Sequence, residues 1–339
     1  ADLFPWPAVV GDRNVQGATA VAVPGVVAGM ALAHGAYGRR TWRELVEPAA
    51  RLAEQGLLAD WYSGLLTAST AKALSLDADA AAMFLDEGRW PILGTWTATA
   101  QRRLDLQRER PHPAGARAPN PADYRAMARA LDAAFRSRLS VMGDHESADP
   151  QKAPTCTTHF SVVDRHGNLS AVTQTLLSIF GSRVVSPQTG VLLNNGILWF
   201  DPEPGKPNSL APGKRCLANY CPVVGETADG RRFALGASGG RKILGAVMQL
   251  ACFLMDHGMD LEAAFHQGRI DVSGSGTVTV DASLGPQVLQ ALAQDGPAVA
   301  TRRTVFPYAF ACPAGVLRAG SLNSGCTEIM SPWGDAVAG

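Results

Sequence analysis

Two threonines carry the first chemical signal in this chain. In Thr157-Thr158-His159-Phe160-Ser161-Val162-Val163-Asp164, β-branched and aromatic residues alternate with polar ones; the pattern stops at Arg165-His166-Gly167-Asn168 and resumes from Leu169 to Leu176. That alternation predicts a β-hairpin. With Arg165-His166-Gly167 as the loop and Gly167 at positive φ, Asp164 pairs with Asn168, and counting back sets Thr157 against Thr175. Facing hydroxyls are one part of an activated nucleophile, and they are also a common sheet decoration, because threonine favours strands. Spacing alone leaves both readings open.

A second stretch, Gly236-Ala237-Ser238-Gly239-Gly240, follows a predicted strand at Arg232-Phe233-Ala234-Leu235 and precedes a predicted helix from Ile243 to Met255. Glycines between strand and helix leave backbone N–H groups exposed, a ready site for an anion. As a phosphate loop the segment fails, because it lacks the four-residue spacer before Gly-Lys-Ser/Thr. It does satisfy the G-x-S-x-G nucleophile-elbow pattern, with Asp260 and His266 following in the order serine, acid, histidine, so a serine hydrolase acting through Ser238 is an alternative. Against it, His266 follows the acid by only a short helical interval, and such patterns arise easily in glycine-rich turns.

The wording of the hairpin resembles the gamma-glutamyltranspeptidase family, self-cleaving N-terminal-nucleophile hydrolases. The resemblance rests on Thr157 to Asp164, Gly167-Asn168, Val172-Thr173, the segments 180–185 and 189–195, and the closing Asn323-Ser324-Gly325-Cys326-Thr327-Glu328. A weaker likeness runs from Val23-Pro24-Gly25-Val26-Val27-Ala28-Gly29 to about Tyr62. The likeness implies a four-layer αββα sandwich and a precursor cut at the Cys156–Thr157 bond. Large and small subunits then come from one chain: 1–156, a partial, mostly helical large-subunit region with a flexible 143–156 linker, and 157–339, together one αββα domain.

A hydroxyl is a poor nucleophile at neutral pH, but a freed α-amine titrates near pH ~8 and sits on the same residue as the hydroxyl it must activate. The resemblance implies that Thr157 becomes nucleophile and base at once, that Thr175 orients its hydroxyl, and that Gly239 and Gly240 stabilise the oxyanion. It puts Cys156 on the departing side of the cut. Where the family holds its substrate's α-amino group with an asparagine, a glutamine and an aspartate, this chain has Leu177, Gly196 and Trp199. At the family's two serines it has Ala218 and Asn219. A free ammonium wants acceptors, and Leu177 and Trp199 offer none. The expected substrate contacts are Asn219, Trp199 and Asn195, although paired asparagines such as Asn194-Asn195 are more often turn formers.

No matching motif appears for the family's glycine-rich strand or for its carboxylate-gripping arginine, so the large-subunit part reads as a fragment, or the protein takes a different acid; an inactive relic is a further alternative. Gly205 to Lys214 is short where some members carry an active-site lid. The expected substrate is a small amide or gamma-glutamyl-like molecule, with no cofactor and no metal.

The elements that must position these groups are readable. Thirty basic residues balance thirty acidic ones, with no basic run, which argues against nucleic acid. A chain of 339 residues with 46% hydrophobic and 18% charged content can bury a large core. The longest apolar segment, Ile243 to Met255, is too short for a membrane span. The chain starts without methionine, so the compartment, cytoplasm or periplasm, stays open, as does assembly into a homodimer. Six cysteines lack zinc or disulfide-scaffold spacings, and His159 reads as a structural histidine. Helices are predicted at Val26 to Ala36, from a Thr41–Glu44 capping box to Gly56, at Ala78 to Met83, and from Asn120 to about Leu139 with Tyr124, Met127, Leu131 and Phe135 as a core stripe. A cap at Asp260, a strand at Val278 to Asp281 and a helix at Pro286 to Leu292 complete an α/β alternation.

Overall fold

The computed structural model describes residues 9–55, 60–85, 115–141, 156–273, 276–306, 308–331 and 334–338. The readings at Gly56 and along 143–155 of the linker lie outside those residues. The chain divides into two compact units. Of the described residues, one holds 115–141, 156–175 and those from 199 onward, the other 9–85 and 176–198.

The first unit contains the hairpin, β1 (Thr158–Val163) and β2 (Leu169–Gln174), in antiparallel register from Thr158 opposite Gln174 to Val163 opposite Leu169. Its turn follows from side-chain chemistry. Asp164 accepts from the backbone N–H groups of His166 and Asn168, both at 2.8 Å, and Gly167 takes φ 82°. Along β1 the residues alternate, with Thr158, Phe160 and Val162 exposed and His159, Ser161 and Val163 half-buried.

The half-buried face lies against a four-stranded sheet ordered β3 (Val223–Glu226), β4 (Arg232–Ser238), β8 (Cys312–Ala319), β9 (Leu322–Thr327). Within β4, Phe233, Leu235 and Ala237 turn to the helices, and Gly236 between them turns to the hairpin, where its missing side chain makes room for the His159 ring. On the helical side stand α5 (Pro121–Val141), α6 (Lys242–Met255) and the short α7 (Leu261–His266). Tyr124, Met127 and Leu131 of α5 join Ile243, Val247, Leu250 and Leu254 of α6 in one core. Asn120 caps α5 through the N–H groups of Ala122 and Asp123. Helices, sheet and hairpin thus give this unit three layers in α, β, β order.

A smaller sheet, β5 (Ile270–Asp271), β6 (Val278–Asp281) and β7 (Ala298–Thr301), pairs β6 with β7 in parallel through α8 (Gly285–Ala293). Buried arginines flank it: Arg269 before β5 pairs with Glu328, and Arg303 after β7 pairs with Asp281 at 2.5 Å.

The second unit holds α1 (Val26–Tyr37), α2 (Trp42–Gln55), α3 (Trp61–Leu74) and α4 (Ala78–Phe84). The Thr41–Glu44 capping box is present, with Glu44 accepting from the Thr41 N–H at 2.7 Å, while Leu45 and Leu52 are exposed. The segments 180–185 and 189–195 form turns with one bridge between Val185 and Leu192. Leu177, Phe180, Gly181 and Arg183 all take left-handed φ values, which no pleated strand tolerates.

Leu250, fully buried at the centre of α6, tests the first unit's core. Leu250→Ala is expected to cost about 2–5 kcal/mol in denaturant unfolding; a loss under about 1 kcal/mol would mean that this core is not the unit's support.

Candidate active site

The Thr157 hydroxyl donates to the Thr175 hydroxyl at 3.0 Å, one step beyond the last ladder pair, in the register counted from the turn. Cys156 lies beside them, its Sγ 3.9 Å from Thr175 Oγ1. In the uncut chain the Thr157 nitrogen is an amide and cannot act as a base. An oriented hydroxyl next to a peptide bond is nonetheless the arrangement that self-cleavage at that bond requires.

Next on the same face, His159 Nδ1 bonds the Thr173 hydroxyl at 2.8 Å and Nε2 bonds the Ser161 hydroxyl at 2.9 Å. Burial pushes this imidazole down to about 4, so it is neutral at working pH. The reading of His159 as a hydrogen-bonded histidine inside the sheet stack agrees with this geometry.

Below the hairpin, β4 runs on through Ser238 before the chain turns at Gly239, φ 131°, and Gly240, φ 61°. The strand is therefore longer than its expected end at Leu235, and the turn is confined to two glycines. A Cβ on Gly239 would stand 2.9 Å from Ala311 Cα, which explains why no larger residue fits. Among the described residues, neither glycine N–H is taken up by a backbone hydrogen bond. Both are available to an oxyanion-sized acceptor.

The serine-elbow geometry is not formed. Ser238 is paired in the ladder opposite Cys312 and has no left-handed strain, whereas an elbow needs its nucleophile on the sharp turn itself. The Asp260 carboxylate is engaged as the cap of α7, accepting from the Ala263 N–H at 2.8 Å.

The expected substrate contacts differ in their surroundings. Trp199 and Tyr220 form a tilted ring pair at 6.0 Å. Burial, then the Cys216 and Cys156 thiols, pushes the Tyr220 hydroxyl up. Asn219 is half-buried immediately before Tyr220. Asn195 is a correction: it belongs to the other unit and is fully buried, its amide donating to Val15 O and Ser178 Oγ and its carbonyl accepting from the Ser178 N–H. A side chain so enclosed braces a turn and does not face a ligand.

Asp271 escaped sequence reasoning. It is buried in β5, bonded by the Ser273 hydroxyl at 3.0 Å, and burial pushes it up to about 6 against the opposing pull of Lys242, the first residue of the helix after the glycines. No motif marks it; only the tertiary approach of β5 to α6 does. Among the described residues no three His, Cys, Asp or Glu side chains come together as a metal-binding group, and no helix is long and apolar enough to cross a membrane.

The family model for gamma-glutamyltranspeptidase matches residues 2–105 and 118–316. The acylase ACY 1 proenzyme of Pseudomonas sp. (strain V22) is 35% identical over 175 residues, 52% of this chain and 30% of that protein. The glutathione hydrolase proenzyme of Bacillus subtilis (strain 168) is 34% identical over 136 residues, 40% of this chain and 23% of that protein. The matched stretch thus spans less than a third of either relative. Cephalosporin acylase from Bacillus halodurans superposes with a TM-score of 0.70 at 18% identity, over 94% of this chain and 78% of that one. The shared fold is the α/β sandwich of the N-terminal-nucleophile hydrolases.

His159 has a pH signature. Below its ordinary value of 6.5 the unfolded chain takes up a proton that the folded chain refuses until about 4, so its contribution is complete above 6.5 and is lost as pH falls toward 4. Asp271, raised from 3.8 to about 6, acts with the opposite sign over that range, so the comparison is made with a His159→Phe variant. Thermal unfolding of the wild type should steepen with acidification relative to that variant, and an imidazole NMR titration near 6.5 would contradict the expectation.

Proposed function

This chain belongs to the gamma-glutamyltranspeptidase family, and on that premise we propose an autoprocessed amide hydrolase or acyltransferase with Thr157 as its nucleophile. The supporting observation is the 3.0 Å bond from the Thr157 hydroxyl to Thr175, beside Cys156. In processing, Thr157 Oγ attacks the Cys156 carbonyl carbon, the C–N bond breaks as the threonine nitrogen takes a proton, and water hydrolyses the resulting ester. That releases a carboxylate at Cys156 and an α-amine on Thr157.

In turnover, that amine accepts the hydroxyl proton while Oγ attacks the carbonyl carbon of a small-molecule amide. Negative charge gathers on the carbonyl oxygen, where the Gly239 and Gly240 N–H groups donate to it; one such donor is worth about 2.7–4 kcal/mol. The proton passes to the departing amine, and the acyl group is left on Thr157. Water or a second amine then attacks the ester and restores the hydroxyl.

The acyl group is one without an α-ammonium. Leu177, Gly196 and Trp199 occupy the positions where the resemblance expects acceptors for that charge, and Ala218 replaces one of the family's two serines. Stripping water from an ammonium without supplying acceptors costs about 1–3 kcal/mol or more. Of the two relatives' names, acylase therefore suits this chain better than glutathione hydrolase. Asn219 is the remaining polar contact.

The intact mass of the full-length protein should show two fragments, the second beginning at Thr157. Thr157→Ala should stay uncut and turn nothing over, whereas Ser238→Ala should leave both activities standing; an active Thr157→Ala would end the proposal. In a second assay, the processed enzyme should favour a glutaryl anilide over its gamma-glutamyl counterpart by roughly ten- to a hundredfold in kcat/KM. Preference for the gamma-glutamyl substrate would overturn the assignment of the acyl group.

A further inference from the structure

The imidazole of His159 is not used by the chemistry above, yet it occupies the contact between the parts that carry that chemistry. It stands on the same β1 face as Thr157 and directly opposite Thr173, which shares a β2 face with Thr175. Both ring nitrogens are engaged, Nδ1 with Thr173 Oγ1 at 2.8 Å and Nε2 with Ser161 Oγ at 2.9 Å, so the ring cannot rotate without breaking two bonds. A neutral imidazole donates through one nitrogen and accepts through the other, and one hydroxyl on each side completes the pair. The ring edge rests on the backbone of β4: a Cβ built on Gly236 would lie 2.2 Å from its Cε1 and Nδ1.

Gly236 is on the strand that ends in the Gly239-Gly240 turn. The hairpin with its nucleophile and the strand with its free N–H groups therefore meet at this ring. Relative sliding of the two sheets would change the distance from Thr157 Oγ to the oxyanion donors, and misplacement on the order of 1 Å costs roughly a hundredfold in rate. We propose that His159 is a positioning residue, locked between Ser161 and Thr173 and seated on Gly236, that sets the Thr157–Thr175 pair in register with the Gly239 and Gly240 N–H groups. This rests on Thr157 being the nucleophile.

The ring acts through geometry, so its loss should appear in kcat and not in substrate affinity. His159→Phe keeps a ring over Gly236 and removes both hydrogen bonds; His159→Gln keeps a donor and an acceptor. Gly236→Ala displaces the ring from the opposite side without altering the hairpin.

In the full-length, processed protein, His159→Phe and Gly236→Ala are expected to lower kcat by roughly ten- to a hundredfold with KM within about twofold. His159→Gln should recover a substantial part of that loss. Should Gly236→Ala fail to fold, the pair of His159 variants decides. A kcat within about twofold of wild type for His159→Phe, a parallel change in kcat and KM, or a Gln variant no better than Phe would each overturn the proposal. Failure of the nucleophile assignment is distinguishable, because it appears in the parent: a wild type that neither cuts before Thr157 nor turns over an amide removes both claims together.

Discussion

The register of a single hairpin governs the rest of this molecule. Side chains in a strand alternate with period two, so a slip of one residue would turn Thr157, His159 and Ser161 outward and bring Thr158, Phe160 and Val162 in. What prevents the slip is the turn, where the Asp164 carboxylate gathers the N–H groups of His166 and Asn168 and Gly167 adopts a conformation that other residues resist. The hydroxyl pair lies at the opposite end of the strands from that turn. Its geometry is thus fixed by an interaction several residues away.

The second constraint is the spacing between stacked sheets. Face-to-face sheets normally sit about 10 Å apart, with side chains from both filling the gap. Here the gap is filled beneath the hairpin by an imidazole resting on a bare backbone at Gly236. On its other face the same strand sends Phe233, Leu235 and Ala237 into the helical core, so β4 is anchored from behind while its front remains free to meet polar groups.

What could be read from the sequence was whatever depended on local period and turn chemistry. The hairpin, its register and the Tyr124–Leu131 stripe of α5 follow from spacing, and the caps at Asn120 and Asp260 follow from side chains reaching nearby N–H groups. The end of β4 was not legible, because glycine is as acceptable in a strand that needs close approach as in the turn after it. Gly236 and Gly239 look alike in sequence and differ only in what packs over them. Asn195 was misread for a related reason, since its partners Val15 and Ser178 are distant in the chain or reached by a backbone fold that no periodicity announces. Asp271 is tuned by burial alone, and burial is a property of the finished packing.

One feature of the core bears on how such a protein ages. Helix α5 precedes Cys156 in the chain, yet Tyr124 and Leu131 lie in the same core as α6, and Arg125 and Arg129 grip Asp295 beyond it. The proposed cut before Thr157 would leave α5 on a separate chain, held to its neighbours by packing, charge and the hydrogen bonds of Tyr124 with Gly268 and Gln267. Folding would then happen once, as an intramolecular event, and any later unfolding would release two pieces whose reunion depends on their concentration. The mature protein would persist by the height of its unfolding barrier and not by the ease of its return.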